Sequence, residues 1–593
     1  MVKIHYYYLT IIFLFFYYPA LANEQGYLVY QKHCADCHQD ARLRAPSLGA
    51  IKKMSENGIR QALTMGVMKE HSRNIDDVDF DKLLLFLSSQ KNNIIKTQIN
   101  ECFEPFPTHS KILWSNWGNG LSNQRVQIKS SLNPQNINKL ELKWAFGFKD
   151  SIRIRSQPLV TEDAIYIGSQ SGDVYALSLD TGCEWWSFKA DAEVRGAITL
   201  SDDKKSIIFT DFAANVYRLN SLNGEIEWKK NVATHPLTTI TGSIAVTQNS
   251  VFIPLSSTEV VSAIDPNYMC CTFRGGLIAL NTSDGSEQWK MHTVPEPKKT
   301  GYNSNKISSW GPSGAPVWST PTIDIKRGLI YIGVGQNYSH PATELSDAII
   351  ALEIESGGVV WHKQTLSGDV WNAACVTNRI NCPGDYGPDY DIGASIILIE
   401  GDKDILLAGQ KSGMVFAMDP DDRGSIIWQK RVGRGGKKGG IHWGMTIDDD
   451  SIFIPIADLP EKTTSQFSPM PGIHALRIKD GYKEWYRPAT PVCKDEEYHC
   501  YPSVSAAPSR AGDMIITGSM NGIIEIISTR DGNLLWSFDT VKQFKTINQI
   551  PANGGSIDSN GPFIAGNYLI ATSGYDIYGQ LTGNVLLVFS VED

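Results

Sequence analysis

The 593-residue chain has no basic surplus: 54 Lys and Arg stand against 63 Asp and Glu, a formal net charge of -9, with an isoelectric point near 5.8. Binding nucleic acid normally requires a positive stripe to neutralise phosphates, so no nucleic-acid partner is expected, which leaves small molecules or positively charged proteins. Past the first 22 residues no apolar run is long enough to cross a bilayer. What the chain has instead is 51 glycines and 15 tryptophans, many of them at a regular spacing.

The opening residues read as an export signal. Lys3 gives a positive start, Ile4 to Tyr18 is almost entirely apolar or aromatic, and Ala20-Leu21-Ala22 fits a small-residue cleavage site. Cleavage after residue 22 predicts a periplasmic protein with no stable membrane span; an uncleaved anchor is the alternative. In an oxidising compartment the ten cysteines invite pairing. Cys375 and Cys382 form one close pair and Cys493 and Cys500 another, Cys270 and Cys271 are adjacent, and Cys102 is left to Cys183 by elimination.

Cys34-Ala35-Asp36-Cys37-His38 is the pattern by which two thiols add to haem vinyl groups while the following histidine reaches the iron. It follows a helix-like Tyr27 to Lys32 and predicts a small all-α cytochrome c domain over residues 23–92. Met68 is the expected sixth ligand, because Gly66 beside it permits close approach to haem; Met65 and His71 are its rivals. Residues 93–110, with Pro105 and Pro107, read as a linker that Cys102 ties down.

From residue 111 the chain is expected to be mainly β. A β-rich run, a glycine turn, three residues and a tryptophan recur seven times, at Gly182, Gly224, Gly285, Gly357, Gly424, Gly481 and Gly532 with Trp186, Trp228, Trp289, Trp361, Trp428, Trp485 and Trp536. Leu140 to Trp144 is an eighth copy with leucine in place of glycine. One such unit cannot bury its own apolar faces, so neighbours must stack, and eight units predict an eight-bladed β-propeller over 111–593. Each indole is expected to dock on the next blade's backbone, and Asn584 to Phe589 to complete the blade begun around Trp144. An open solenoid is the alternative.

These repeats resemble those of the quinohaemoprotein alcohol dehydrogenases that use pyrroloquinoline quinone (PQQ), polyvinyl-alcohol dehydrogenases among them. The phrases that carry the likeness are Asn116-Trp117-Gly118-Asn119-Gly120, Cys270-Cys271-Thr272-Phe273-Arg274-Gly275, Gly311 to Trp318 and Gly409-Gln410-Lys411-Ser412-Gly413. The resemblance implies PQQ held between a Cys270–Cys271 disulfide and Trp318, with Lys411 beside its quinone oxygens and Arg274 as a further cofactor-binding residue. It implies calcium or a lanthanide on Glu259, Asp389, Asp391 and one of the two amides Gln336 and Asn337. The catalytic base it implies is Asp389, with Asp369 as the alternative. Electrons would pass to the chain's own haem c and then to a soluble cytochrome c or another periplasmic acceptor. The substrate would be a secondary alcohol, polyvinyl alcohol or a similar polyol. A PQQ-dependent sugar or aldehyde dehydrogenase and a cofactor-free assembly scaffold are the competing readings.

Overall fold

The computed structural model describes residues 25–38, 48–52, 59–60, 62–63, 68–88, 100–107, 110–461, 465–493, 500–576 and 580–591. The export segment, residues 1–22, and Met65 lie outside the described residues. Among the described residues no helix is long and apolar enough to cross a membrane.

The amino-terminal part is helical: residues 25–33, then Ala35–His38, Leu48–Ile51, Lys69–Ser72 and the longer Asp77–Ser88. Leu83, Leu84 and Leu87 recur at helical spacing and bury one face of that last helix against Val29, Tyr30, Ile59 and Leu63. Cys34 and Met68 both pack on the edge of this core. His38 is buried, whereas His71 is exposed.

The linker is fastened to the propeller's rim. Asn100 to Cys102 runs beside Glu184, with Glu184 N donating to Asn100 O (2.8 Å) and Cys102 N to Glu184 O (3.0 Å). The Cys102–Cys183 disulfide and the Phe106–Trp185 ring contact lock it there. The other expected pairs, Cys270–Cys271, Cys375–Cys382 and Cys493–Cys500, are also formed.

Eight antiparallel sheets of this β-rich chain form the blades. In chain order blades 1 to 7 span residues 159–189, 199–231, 245–292, 322–364, 397–431, 446–488 and 509–539. Blade 8 joins Phe563–Ala565, Tyr568–Ser573 and Val585–Val591 to Leu140–Gly147, with Leu142 opposite Phe589 and Trp144 opposite Val588. The ring is closed by strands from both ends of the propeller segment, as expected, and no solenoid edge is left.

The repeat encodes the seams between blades. Each repeat's glycine sits in the left-handed region, with φ from 68° to 72°. It lies under the indole of the preceding blade: a Cβ on Gly285 would meet the Trp228 ring at 2.9 Å, and one on Gly357 the Trp289 ring at 2.4 Å. Glycine is therefore needed both for the turn and for the stacked indole. Six indole N–H groups, those of Trp144, Trp186, Trp228, Trp289, Trp428 and Trp485, donate to a backbone carbonyl of the next blade at 2.7 to 3.1 Å.

Two seams differ. Trp361 Nε1 is buried without a partner among the described residues, because the receiving turn in blade 5 is one residue longer: Gly424 N reaches back to Asp419 O, where Gly285 N reaches Asn281 O. Trp536 faces blade 8, where Leu140 replaces glycine, and it packs instead on Phe538 and Phe589.

Residues 112–127 cross the inner strands like a strap. Ile112–Trp114 pairs with blade 1 and Val126–Gln127 with blade 7. Between them, carbonyls of Ser115, Leu121 and Ser122 accept from Leu200, Ile323 and Leu398 of blades 2, 4 and 5. Arg125, fully buried, donates from Nε to Pro508 O (2.9 Å) and from Nη1 to Trp117 O (2.6 Å). Because all these partners lie on or beside inner strands, the strap closes one end of the axial channel.

Candidate active site

The expected site residues sit where blades 3, 4 and 5 depart from the repeat. In blade 3 the connection between Ser250–Ser257 and Gly276–Asn281 is lengthened to carry the one-turn helix Glu259–Ser262 and the joined cysteines. Glu259 is fully buried; Oε1 accepts from Tyr268 Oη and Thr272 N, and Oε2 from Phe273 N, all at 2.8 Å. Its carboxylate thus anchors the two residues that follow the disulfide. Arg274 turns outward, to Val294 O (3.0 Å) and Glu296 Oε2 (2.8 Å).

Trp318 precedes Thr322–Asp324, the inner strand of blade 4, and faces the axis. A Cβ on Gly393 would fall 1.9 Å from its ring, so only glycine allows this indole its place. Trp318 meets Trp443 edge to face at 5.2 Å, and both line an axial cavity with Arg195, Ser243 and Ser395. Arg195 is 7% exposed and stacks over Trp443 at 5.3 Å, yet its Nε and Nη2 are buried without a partner among the described residues. Sequence reasoning missed Arg195, although a signal was present: it precedes its inner strand by the same four residues as Trp318.

The second group centres on Lys411, between Ile405–Gly409 and Met414–Asp419 of blade 5. Its Nζ is 2.8 Å from Asp389 Oδ1 and 2.9 Å from Asp391 Oδ2. Asp391 Oδ1 accepts the Gln336 backbone N–H (2.9 Å), and a Cβ on Gly335 would lie 2.1 Å from that oxygen. Asn337 is turned away: its Oδ1 accepts Thr343 N (2.8 Å) and its Nδ2 donates to Ser313 O (3.1 Å). Asp369 accepts the backbone N–H groups of Asp389 (3.2 Å) and Tyr390 (2.8 Å). It therefore holds the segment on which Asp389 adopts a left-handed φ of 65°, a conformation that costs a non-glycine residue about 1–3 kcal/mol and clusters at functional sites.

Four aspartates share this one lysine. Burial raises Asp389 well above the usual carboxylate range, with Lys411 pulling against it and Asp391 adding to it. Burial also pushes Asp369 up to about 6. Asp347, whose two carboxylate oxygens are buried without a partner among the described residues, is raised by burial and then by Asp369, Asp391 and Asp389. Burial works against the Lys411 ammonium, but Asp389 and Asp391 more than offset it and hold its pKa above the ordinary lysine range. His442, also unanticipated, donates or accepts at Ser505 Oγ through Nδ1 (2.9 Å). Its Nε2 is buried without a partner among the described residues, and burial, then Lys411, lowers its pKa to about 3, so the ring is neutral.

The blade 3 group meets the Asp369 segment at Asn372, whose Nδ2 lies 4.0 Å from Cys270 Sγ and donates to Tyr338 O (3.0 Å). Val370 runs parallel to Asn337, which brings the Asp369 segment to the same edge.

A family model described as the β-propeller domain of PQQ glucose/ethanol/alcohol dehydrogenases matches residues 114–377. A polyvinylalcohol dehydrogenase of a Pseudomonas species is 33% identical over 607 residues, covering 96% of this chain and 93% of that protein. The chain belongs to the polyvinylalcohol dehydrogenase family. A second member, from Sphingopyxis sp. strain 113P3, is 31% identical over 613 residues with the same coverage. A solved quinohaemoprotein alcohol dehydrogenase of Pseudomonas putida shares the fold, with a TM-score of 0.60 at 16% identity over 81% of this chain and 80% of that one. The protein is a PQQ-dependent alcohol dehydrogenase.

The chain's residues suit PQQ, a planar tricarboxylate quinone. Trp318 supplies a flat wall and the disulfide a second apolar group. Two unpartnered nitrogens of buried Arg195 call for an anion beside Trp318. For a hard cation the donors are oxygens of the right kind. As arranged, however, Lys411 stands between Asp389 and Asp391, and among the described residues no three His, Cys, Asp or Glu side chains surround a common point.

Proposed function

We propose that this enzyme oxidises secondary alcohols, polyvinyl alcohol or a similar polyol, and delivers the electrons through its own haem c to a soluble cytochrome or another periplasmic acceptor. The observation that carries this reading is identity of 33% and 31% to polyvinylalcohol dehydrogenases along 96% of the chain, which includes the CxxCH segment. In this reading Cys34 and Cys37 attach haem, His38 and Met68 ligate it, and residues 1–22 direct export. The packing of Cys34 and Met68 on one small core and the exposure of His71 support Met68 over His71.

PQQ, when bound, supplies the acceptor for the carbinol hydride. The Asp389 carboxylate takes the hydroxyl proton at Oδ1 or Oδ2. Lys411 keeps that carboxylate oriented, and Asp369 acts through the backbone as a positioning residue, which favours Asp389 as the base. Trp318 and the Cys270–Cys271 disulfide exclude water from the two faces of the site, and Arg195 with Lys411 answers anionic charge. The resemblance implies calcium or a lanthanide on Asp389, Asp391 and Glu259; in the arrangement described Lys411 takes the place between the two aspartates, and Gln336 is the better placed amide because Asn337 is engaged with Thr343. Such a cation would replace Lys411 as the partner of at least one aspartate.

The test is to mature the protein in a host that attaches haem, add PQQ with calcium or a lanthanide, and follow the haem absorption band. Polyvinyl alcohol and pentane-2,4-diol should reduce it, and the haem stain should survive denaturing electrophoresis. Reduction by aldoses or aldehydes alone would replace the alcohol reading with the sugar or aldehyde one.

A further inference from the structure

Three inserted segments interlock into a cap over the site. They are the Glu259–Ser262 helix with its loop to Cys271, the hairpin of Lys298–Tyr302 and Ser308–Gly311, and the loop of residues 373–388 pinned by Cys375–Cys382. Trp310 of the hairpin exchanges backbone hydrogen bonds with Cys270 and Cys271. Asn303 Nδ2 donates to Pro266 O (3.0 Å) and Asn381 Oδ1 (2.8 Å), and Asn381 Nδ2 to Asp265 O (2.8 Å) and Ala263 O (3.1 Å). Asn372 Nδ2 closes the set on Asn381 O (2.9 Å).

The outer side of this cap carries exposed apolar side chains among charged ones, with Lys299 at Tyr302 and Arg379 over Tyr386. Val261, Met269, Tyr302, Val376 and Tyr386 are 39% to 65% exposed, and every one lies on these three segments. Exposed large apolar groups grouped on one element mark a surface that meets something. The cap is continuous with the site: its roots are Glu259, the disulfide and the Asp369 segment. Asp389 is only 5% exposed, so it admits one carbinol at a time, and the rest of a polymer must lie outside over the rim.

We propose that this cap is a docking surface for an extended carbon chain bearing hydroxyls on alternate carbons, with the apolar side chains covering its methylenes and the cap's amide and hydroxyl groups meeting its hydroxyls. The inference rests on the polyol reading above and adds a second contact zone to it. Small alcohols do not reach this zone.

The experiment uses the full-length, haem-loaded, PQQ-loaded enzyme and the triple variant Tyr302→Ser, Val376→Ser, Tyr386→Ser, with Tyr302→Ser alone as a milder variant and thermal unfolding as the folding check. KM for polyvinyl alcohol should rise about tenfold in the triple variant, the scale of losing a few exposed apolar contacts. KM for pentane-2,4-diol should stay within twofold. Retention of the wild-type protein without PQQ on immobilised polyvinyl alcohol should also be lost in the triple variant. Unchanged polymer KM, or equal rises for polymer and diol, would overturn the docking surface. Slower haem reduction with both substrates would reassign the face to the haem domain and overturn it as well. If the wild type binds the polymer but oxidises only other alcohols, docking stands and the substrate reading falls. If it binds no polymer yet oxidises it, docking falls and the substrate reading stands.

Discussion

The rim of the propeller and its mouth are built by opposite rules. At the rim one local device, a left-handed glycine receiving a tryptophan from the blade before, is repeated until the ring closes. At the mouth the candidate site lies where the repeat is broken, by the lengthened connection in blade 3 and the insertion between blades 4 and 5. The rim tolerates error in one copy because seven others hold the ring. The mouth has one Lys411 and one Asp389, each without a duplicate.

That contrast predicts different responses to substitution. The largest effect belongs to Asp389→Asn, in which turnover should fall about a hundredfold or more while PQQ and haem remain bound, as expected for loss of a general base. Asp369→Asn should lose less, because it removes only the anchor of the Asp389 segment. An inactive Asp369→Asn beside a near-normal Asp389→Asn, in steady-state rates, would move the base to Asp369. Next, Arg195→Met should weaken PQQ binding by about ten- to a hundredfold, the scale of a charge-assisted hydrogen bond, read by titrating tryptophan fluorescence. Undiminished affinity would remove Arg195 from the site.

At the rim, Gly285→Ala should destabilise by about 2–4 kcal/mol, since it adds overpacking against Trp228 to the left-handed strain. Gly328→Ala is the control: its φ is 65° but nothing lies within 4 Å of the added Cβ, so about 1–2 kcal/mol is expected. Equal losses in denaturant midpoint would show that the indole shelf contributes nothing. The smallest effect is the pH profile. A base whose carboxyl is raised by burial is ionised only as pH climbs, so kcat/KM should increase with pH on an acid limb above the ordinary carboxylate range. The neighbouring Asp369, near 6, titrates in the same region and is coupled to it. A profile flat from pH 5 to 8 would contradict a buried, raised base.

The rim was almost wholly legible in the sequence because its information is local and repeated. Glycine, spacing and tryptophan predicted both the blade count and the docking of six indoles on the next blade's backbone. Trp536 was already marked as exceptional by Leu140. Trp361 was not, since a single extra residue in a turn leaves no mark on the Gly-to-Trp spacing. The cysteine pairs were legible from spacing, adjacency and elimination, but the Asp389-Lys411-Asp391 cluster was legible only through family phrases, because residues from separate loops meet there and no local pattern records the meeting. Arg195, His442 and Asp347 escaped for the same reason. Counting back from each inner strand, as for Trp318, would have found Arg195. Arg274 illustrates the reverse: it stands in a family phrase, but its guanidinium faces Glu296.

The closing blade ties folding to the arrival of one late strand. Leu140–Gly147 must wait for Val585–Val591, and pairing across so long a stretch of chain is slow because loop closure precedes its reward. Until that last strand arrives, Leu140–Gly147 has no partner in blade 8, and the Trp144 indole can dock on blade 1 but has no sheet behind it. A nascent or truncated chain therefore presents an open, adhesive edge. In the closed ring Leu140–Gly147 is paired with Val585–Val591, so that strand serves as the latch between the first and last blades.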